Sequence, residues 1–296
     1  MDVEKIFQEY QPLLFSLAYN MLGSIMDAED CVQETFLRWH RACNSDEQEA
    51  IRSPRSYLCT IVTHICIDHL RSARVKREFY IGSWLPEPLL TGGPDEHAEM
   101  AEILSIASLR LLEALSPSER AVFLLRQVFD YEYEEIARMV GKSEHSCRQL
   151  VYRAKQHLTS QRPRYDVSSR QQEQFYQSFL QASTDGNMEE LLQLLAEDVS
   201  LYSDGGELRR PMPLHGAQEV ARYTMEVTRR VSLETAWYWQ MTMINGRLGV
   251  VIYAYNRLYA VLTLEFIDGH IQEIDFIVSP EKLGHLQQSN SSLDAQ

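Results

Sequence analysis

The sequence lacks a hydrophobic run long enough to cross a bilayer. Its longest apolar stretches, such as LGVVIYAY at 248–255, are less than half the roughly 20 residues that a membrane-spanning helix needs. The opening MDVEKIFQEY is acidic and helical in pattern, which is unlike a signal peptide. We therefore expect a cytoplasmic protein with no membrane partner.

Cysteine is also scarce. The 296 residues contain five cysteines, all in the first half of the chain and none in a CxxC pair. Cys59, His64, Cys66 and His69 lie close together, but their spacing fits no common zinc site. On a helix Cys59 and Cys66 would share one face, as buried core thiols do. We expect no metal site and no cofactor.

Acidic residues outnumber basic residues in the whole chain, which gives a formal net charge of −14. The basic residues are nevertheless concentrated. Residues 52–77 contain six Arg or Lys and one acidic residue, and residues 138–164 contain seven Arg or Lys and one acidic residue. Residues 86–135, by contrast, contain eleven acidic residues and three arginines. Two basic segments in an acidic chain indicate two local contacts with a polyanion. Two solvated helix faces would give the same pattern.

Apolar residues recur at helical spacing through the first half of the chain. A first helix is predicted to end at Gly23, a second to begin with Asp27 as its N-cap, and a third to begin at Ser53-Pro54. SPSER at 116–120 has the pattern of a capping box with proline in the first turn.

The last third of the chain has a different spacing of apolar residues. After a helix around Phe179, the segments AWYWQMTMI, LGVVIYAY, LYAVLTLEFI and HIQEIDFIV read as strands. Asn245-Gly246 and Asp268-Gly269 are predicted hairpin turns. We therefore predict a multidomain chain: an all-α N-terminal half followed by an α+β domain with a curved antiparallel sheet.

The segment YEEIARMVGKSEHSCRQLVYRAKQHL at 133–158 has the pattern of a helix-turn-helix. Ala137 supplies the small residue where two helices meet, and Gly141 supplies the left-handed turn. Ser143 is placed to cap the second helix. An ordinary αα-hairpin is the alternative. The shared core is predicted to consist of Ile136, Val140, Cys147 and Leu150.

With these motifs, the first 158 residues resemble a bacterial sigma factor of the extracytoplasmic-function group, which keeps only regions 2 and 4. LLFSLAYNMLGSIMDAEDCVQETFLRWHRA is similar to regions 2.1–2.2, and SPRSYLCTIVTHICIDHLRSARVKRE to regions 2.3–2.4. LSPSERAVFLLRQVFDYEYEEIARMVGKSEHSCRQLVYRAKQHL is similar to region 4. The resemblance implies core RNA polymerase and promoter DNA as partners, and no enzymatic activity.

The resemblance also implies three contact surfaces. The acidic and apolar face of the second helix would bind the clamp of the largest polymerase subunit through Asp30, Gln33, Glu34, Phe36 and Leu37. The basic third helix would contact the −10 element through Arg55, Tyr57, His64, Arg71, Arg74, Lys76 and Arg77, with His64 where family members often have asparagine. Region 4 would meet the polymerase flap and read the −35 element through Ser143, Glu144, His145, Ser146, Arg148, Gln149, Arg153 and Lys155.

The rest of the chain resembles a SnoaL-like domain of the NTF2-like fold, in which a curved sheet wraps on helices around a cone-shaped pocket. The sigma-J type of sigma factor combines such a domain with a WLPEP linker, a DGGGK-like loop and an NPDKL-like segment. This chain has WLPEP at 84–88, DGGEL at 204–208 and SPEKL at 279–283. The implied domains are 1–78 (region 2), 79–105 (linker with WLPEP), 106–160 (region 4), 161–173 (linker), 174–285 (SnoaL-like) and 286–296 (flexible tail).

The WLPEP motif puts a large aromatic side chain in a linker. We expect Trp84 to insert into the C-terminal domain, with local packing on region 2 as the alternative. That domain would then regulate in cis, so no separate anti-sigma protein is expected. The implied interdomain regulatory residues are Trp84, Leu85, Pro86, Glu87, Pro88, Asp204, Gly205, Gly206, Pro280, Lys282 and Leu283.

Two other roles for the C-terminal domain follow from its resemblance. NTF2-like folds also host polyketide cyclases and ketosteroid isomerases, in which a pocket carboxylate abstracts a proton. A pocket without chemistry could instead bind a small ligand, which would make the chain a sensor. Trp237 and Trp239 share a strand face and are predicted to be core. The candidate catalytic residues are Tyr202, Asp204, His215, Glu265 and Asp275.

Overall fold

The structure is a computed structural model that describes residues 3–44, 51, 53–77, 84–91, 103–159, 168–205 and 212–290. The chain divides into two compact units. Unit 1 comprises Met1–Phe79, Pro94–Leu104 and Leu111–Arg162. Unit 2 comprises Tyr80–Gly93, Ser105–Arg110 and Pro163–Gln296. Two short segments from the N-terminal half therefore belong to the unit that contains the C-terminal sheet.

Unit 1 is helical, as predicted for the N-terminal half. Leu14, Leu17, Trp39 and Leu58 are fully buried where its first three helices pack together. The helices of the N-terminal half are α1 (Val3–Leu22), α2 (Ile25–Cys43), α3 (Pro54–Arg77), α4 (Ile106–Leu112), α5 (Pro117–Gln127), α6 (Tyr133–Val140) and α7 (Glu144–Thr159).

The junction between α1 and α2 corrects one prediction. Helix α1 ends before Gly23, which has a left-handed backbone (φ 66°), as expected. The N-cap of α2 is Ser24 rather than Asp27, because Ser24 is extended and its Oγ accepts a hydrogen bond from the Asp27 backbone N–H at 3.3 Å. Asp27 lies in the first turn, where its charge suits the helix dipole.

The other two predicted helix starts are confirmed. Helix α3 begins at Pro54, and Ser53 Oγ accepts a hydrogen bond from the Ser56 backbone N–H at 3.3 Å. Helix α5 begins at Pro117 with a complete capping box. Ser116 Oγ accepts from the Glu119 N–H at 3.3 Å, and Glu119 Oε2 accepts from the Ser116 N–H at 3.0 Å.

Unit 2 is built on a six-stranded sheet with the strand order β2-β1-β6-β5-β4-β3. Strands β1 and β6 are parallel and all other neighbours are antiparallel, so the predicted antiparallel sheet is correct except for this one pair. The elements are α8 (Ser169–Asp185), α9 (Met188–Leu194), β1 (Leu195–Ser203), β2 (Leu214–His215), α10 (Ala217–Glu234), β3 (Trp237–Ile244), β4 (Arg247–Ala254), β5 (Arg257–Ile267), β6 (His270–Ile277) and α11 (Pro280–Asn290).

Local sequence patterns predict the hairpins of this sheet but not its first strand. Asn245-Gly246 has φ values of 51° and 70°, which match a type I′ turn, and Asp268-Gly269 has 50° and 76°. The segment MEELLQLLAEDV reads as continuous helix, yet α9 ends at Leu194 and β1 begins at the next residue. Strand β1 forms because it pairs with β6, a partner far along the chain.

The sheet separates two apolar clusters. Val250 and Ile252 of β4 belong to a helix-side cluster with α8 and α10, whereas Val251 between them belongs to the opposite face. Trp237 and Trp239 pack against the helix-side cluster, as predicted. We call the cluster on the opposite face the linker-side cluster: Leu85, Ile106, Ile244, Val251, Leu258, Val261, Ile277, Leu283 and Leu286.

The cysteines are free and buried. Cys59 and Cys66 have no exposed surface, which confirms their prediction as core residues of α3. Within the part of the chain that the structure describes, no group of three or more His, Cys, Asp or Glu side chains could hold a metal ion. None of the described helices is long and apolar enough to cross a bilayer.

Candidate functional site

The predicted polymerase-binding residues lie along one side of α2. Asp30, Gln33 and Leu37 are exposed, and Leu37 keeps 43% of its surface accessible. Phe36 is half-buried because its ring packs on Phe7, with centroids 4.8 Å apart. Glu34 is also half-buried and pairs with Arg38 at 2.7 Å. An exposed leucine beside acidic and aromatic side chains suits a partner with basic and apolar groups.

The predicted −10 residues of α3 divide into two groups. His64 and Arg71 are exposed, and Arg71 pairs with Asp68 at 3.2 Å. Arg55 and Tyr57 near the start of α3 contact aromatic rings: the Arg55 guanidinium lies 5.1 Å from the ring centroid of Tyr131, and the Tyr57 ring lies 5.9 Å from that of Trp39. The side chains of Arg74, Lys76 and Arg77 lie outside the described residues.

Tyr131 precedes α6 and is buried against α3. Its hydroxyl lies 3.3 Å from Cys59 Sγ, and burial beside Cys59 raises the pKa of Tyr131 above its usual range. Within unit 1, the first residues of the predicted −10 helix therefore contact the loop that leads into the helix-turn-helix. Sequence patterns do not identify this contact, because Cys59 and Tyr131 are far apart in the chain.

The helix-turn-helix is formed by α6 and α7, with Gly141 in the left-handed conformation (φ 64°) between them. Ser143 caps α7, because its Oγ accepts a hydrogen bond from the Ser146 N–H at 3.2 Å. Ile136 and Cys147 are fully buried, as predicted. Val140 and Leu150 are only half-buried, and Met139, Val151 and Ala154 complete the core instead.

Helix α7 presents a polar row to solvent. Arg148 pairs with Glu144 at 3.3 Å and lies 4.3 Å from the ring centroid of Tyr133. Gln149 contacts His145 at 2.9 Å. Ser146 is half-buried in the first turn of α7. The exposed predicted −35 residues are Ser143, Glu144, His145, Arg148, Gln149, Arg153 and Lys155.

In unit 2, residues 84–91 (the linker segment) pair with the β3–β4 turn. The Thr91 N–H donates to the Met243 carbonyl at 3.0 Å, and the Asn245 N–H donates to the Leu89 carbonyl at 2.8 Å. The Asn245 side chain accepts from the Leu89 N–H at 2.9 Å. Leu90 forms an antiparallel bridge with Ile244. The linker segment is thus hydrogen-bonded to the end of the sheet through its backbone.

The buried side chain at the start of the linker segment is Leu85. It has no exposed surface and belongs to the linker-side cluster, whereas Trp84 is half-buried. Pro86 and Pro88 are buried and Glu87 is half-buried. Leu85, which is also among the predicted interdomain residues, therefore lies in the core of unit 2, whereas the insertion of Trp84 into the C-terminal domain stays a prediction.

The DGGEL and SPEKL motifs meet at Asp204. Its Oδ1 accepts hydrogen bonds from the backbone N–H groups of Val278 at 2.9 Å and Ser279 at 3.2 Å, and its Oδ2 lies 3.0 Å from Lys282 Nζ. Leu283 belongs to the same linker-side cluster as Leu85. Of the other residues predicted in these motifs, Gly205 and Pro280 are exposed, and Gly206 lies outside the described residues.

A buried charge cluster surrounds Arg110 of α4. Its Nε donates to Asp275 Oδ1 at 2.8 Å, and its Nη2 donates to Glu273 Oε2 at 2.6 Å. The guanidinium lies 3.4 Å from the ring centroid of Tyr202. Burial raises the pKa of Asp275 to about 6, although the Arg110 charge opposes this effect. The sequence signal for this site was a single arginine in the apolar run ILSIASLRLL.

A cavity of about 60 Å³ lies on the other side of the sheet, between the strands and helices α8 and α10. Ile274 and Phe276 of β6 line it, so Asp275 between them points to the opposite face. None of the predicted catalytic residues lines the cavity. His215 instead contacts Ser200 at 2.9 Å, and Glu265 contacts Ser105 at 3.4 Å.

Comparison with known proteins identifies the family. Residues 6–75 match Sigma-70 region 2, and residues 105–158 match Sigma-70, region 4. The ECF RNA polymerase sigma factor SigJ of Mycobacterium tuberculosis is 32% identical over 256 residues, which are 84% of this chain and 80% of SigJ. This chain belongs to the ECF RNA polymerase sigma factors.

Two further similarities extend over nearly the whole sigma factor. The probable ECF RNA polymerase sigma factor SigI of M. tuberculosis is 29% identical over 96% of each chain. The crystal structure of M. tuberculosis SigJ superposes with a TM-score of 0.73 at 27% identity, covering 96% of this chain and 98% of that one. The predicted fold is thereby confirmed: helical sigma regions followed by a SnoaL-like domain with a curved sheet.

Family membership settles the broad function. Sigma factors are transcription initiation factors rather than enzymes, and their partners are core RNA polymerase and promoter DNA. The cyclase or isomerase alternative for the C-terminal domain is not supported, because its candidate acids lie away from the cavity and are engaged with Arg110, Lys282 and Ser105.

The Asp275 pKa predicts a pH dependence of stability. Because the folded pKa of about 6 lies above the ordinary 3.8, the protonated form favours folding. This contribution is present below about pH 4 and is lost as the pH rises through about 6. Relative to Asp275→Asn, the wild type is expected to lose about 1–3 kcal/mol of unfolding free energy between pH 4 and pH 7.

Urea unfolding of both proteins at several pH values measures this difference. Glu273, Glu265 and Tyr202 face Asp275 and remain in both proteins, so their common contributions largely cancel, whereas the ion pair of Arg110 with Asp275 is present only in the wild type. Asp268→Asn makes the same change at an exposed turn and serves as the control. The prediction would be contradicted if the unfolding free energy of the wild type minus that of Asp275→Asn rose with pH instead of falling.

Proposed function

We propose that this sigma factor is an alternative, cis-regulated sigma factor of the sigma-J type. The exposed side of α2 binds the clamp of the largest polymerase subunit, and α3 contacts the −10 element. Helix α7 reads the −35 element while region 4 meets the polymerase flap. The protein acts with the polymerase in the cytoplasm and needs no separate anti-sigma protein.

The observation that carries this proposal is the solvent-facing row on α7. Residues at the start of a recognition helix contact base edges, and basic residues further along contact phosphates. Arg148 and Gln149 occupy the first part of α7, and Arg153 and Lys155 follow. Arg148 contacts Glu144 and Gln149 contacts His145 on the protein surface, so DNA can replace these contacts and bind Arg148 and Gln149 instead.

Arg148→Ala tests the assignment of α7. We expect affinity of the holoenzyme for a promoter selected from randomised DNA to fall roughly 5- to 150-fold, because one good base contact contributes about 1–3 kcal/mol. Discrimination at one −35 position should relax, and the affinity for core polymerase should not change. Filter binding at fixed salt, with the wild-type-selected promoter and single-position variants, measures this.

Arg229→Ala is the matched control, since it removes an exposed arginine from α10 in unit 2. Equal effects of Arg148→Ala and Arg229→Ala would show that net charge, and not α7, accounts for the loss. A uniform loss across all sequences would assign Arg148 to a phosphate rather than to a base.

The proposed cis regulation rests on how the chain is shared between the two units. Residues 80–93 and 105–110 belong to unit 2, and residues 94–104 between them belong to unit 1. The connection between sigma regions 2 and 4 therefore includes segments whose conformation depends on the linker-side cluster. If that cluster were lost, these segments would no longer be held by unit 2, and the unrestrained part of the connection between the two promoter-binding regions would become longer.

A further inference from the structure

Tyr133, the first residue of α6, is in contact with two arginines of region 4. The Arg148 guanidinium lies 4.3 Å from the centroid of the Tyr133 ring, and the Arg126 guanidinium lies 5.4 Å from it. Both distances are within the roughly 6 Å over which the face of an aromatic ring attracts a cation. Tyr133 is not among the residues predicted to contact the −35 element, whereas Arg148 is.

The ring of Tyr133 has a defined place at the start of the helix-turn-helix. Helix α6 begins at Tyr133, and the Glu135 carboxylate holds the first turn, because it accepts a hydrogen bond from the Glu132 N–H at 3.2 Å. Arg126 is held as well, since its guanidinium donates to the Tyr131 carbonyl at 2.9 Å. The half-buried ring is therefore a defined surface on which a second guanidinium can lie.

Arg148 makes two contacts that use its guanidinium in different ways. Its Nη2 donates to Glu144 Oε2 at 3.3 Å, whereas the Tyr133 ring attracts the positive charge of the group and needs no N–H donor. An arginine that reads a base in the major groove does so with two N–H donors, which lie in the plane of the guanidinium. DNA therefore competes with Glu144 for these donors but does not compete with Tyr133.

The contact with Tyr133 reduces the number of conformations from which Arg148 must bind DNA. The Arg148 side chain is 58% exposed, and a long exposed side chain loses rotamer freedom when it is fixed on a partner. A side chain that is oriented before binding loses less of this freedom. We propose that Tyr133 is a positioning residue for promoter recognition, whose ring orients Arg148 and thereby increases discrimination at the base pair that Arg148 contacts. This inference rests on the proposed reading of the −35 element by α7.

Tyr133→Leu removes the aromatic ring and keeps an apolar side chain. Affinity of the holoenzyme for the wild-type-selected promoter is expected to fall roughly 2- to 5-fold, as the loss of one exposed contact between a cation and a ring allows. Discrimination should relax only at the −35 position at which Arg148→Ala relaxes it, and the affinity for core polymerase should not change. Tyr133→Phe keeps the ring and should remain within about twofold of the wild type in both affinity and discrimination.

Filter binding at fixed salt, with the selected promoter and its single-position variants, measures these effects. Tyr238→Leu is the matched control, because it makes the same substitution at a tyrosine of unit 2 that is 58% exposed. A merely structural role of Tyr133 would reduce affinity equally for all promoter variants and lower the melting temperature of the protein. Such a uniform loss, or an equal loss in Tyr133→Phe, would overturn the proposal.

A double-mutant cycle shows whether Tyr133 acts through Arg148. The double variant Tyr133→Leu/Arg148→Ala should discriminate between bases no less than Arg148→Ala alone, and a further loss of discrimination would overturn the proposal. If Arg148→Ala relaxes discrimination and Tyr133→Leu does not, reading by α7 stands and the role of Tyr133 is overturned. If neither substitution changes discrimination, the proposed reading by Arg148 fails together with this inference.

Discussion

Leu85→Ala is expected to destabilise unit 2 by about 2–5 kcal/mol, the usual cost of truncating a fully buried leucine. Leu85 has no exposed surface and packs with side chains from the sheet, from α4 and from α11. Alanine would leave a cavity among residues such as Ile106 and Leu283, which the surrounding sheet cannot close without moving.

Urea unfolding of the full chain, followed by hydrogen exchange of β4 and β5, measures this loss in unit 2 separately from unit 1. Leu233→Ala is the matched control, because it makes the same substitution at a leucine of unit 2 that is 76% exposed. A difference between the two variants of less than about 0.5 kcal/mol would show that Leu85 does not anchor the linker segment.

The same substitution also tests the proposed cis regulation. Release of the linker segment would free the backbone of Leu89 and Thr91 from the β3–β4 turn. Trp84→Ala is expected to have a smaller effect on stability, because Trp84 is only half-buried. If Leu85→Ala alters promoter activity and Trp84→Ala does not, the aliphatic residue of WLPEP carries the regulation. Unchanged promoter activity of Leu85→Ala, despite its lower stability, would contradict the proposed cis regulation.

Features encoded by neighbouring residues could be predicted from the sequence. The capping box at Ser116, the left-handed Gly141 and the Asn245-Gly246 hairpin each depend on a few adjacent residues, and the structure confirms all three. The exposed row on α7 follows in the same way, since helical periodicity fixes which side chains face solvent.

Features that depend on distant partners could not be predicted in this way. Strand β1 exists because β6 pairs with it, and nothing in MEELLQLLAEDV indicates that partner. The choice between Trp84 and Leu85 depends on the shape of a cluster drawn from four parts of unit 2. The burial of Arg110 could not be predicted, because an arginine in an apolar helix is expected at the surface unless its carboxylate partners are known.

Arg110→Ala is expected to be the most damaging single substitution, at about 3–5 kcal/mol, because it leaves Asp275 as a buried charge without its partner. The pKa of Asp275 would rise further, so the loss should be largest at neutral pH and smaller below about pH 5. Arg110→Lys keeps the charge but loses the paired geometry and the contact with Tyr202, and should have an intermediate effect.

A double-mutant cycle separates the ion pair from simple loss of packing. Asp275→Asn removes the charge that Arg110 compensates, so the double variant Arg110→Ala/Asp275→Asn should regain part of the stability that Arg110→Ala loses. Arg222→Ala, an exposed arginine of α10, controls for the loss of a positive charge. If the two substitutions are additive, the loss comes from packing alone. Recovery in the double variant would instead show that the Arg110 guanidinium is needed because it balances a carboxylate that the sheet has buried.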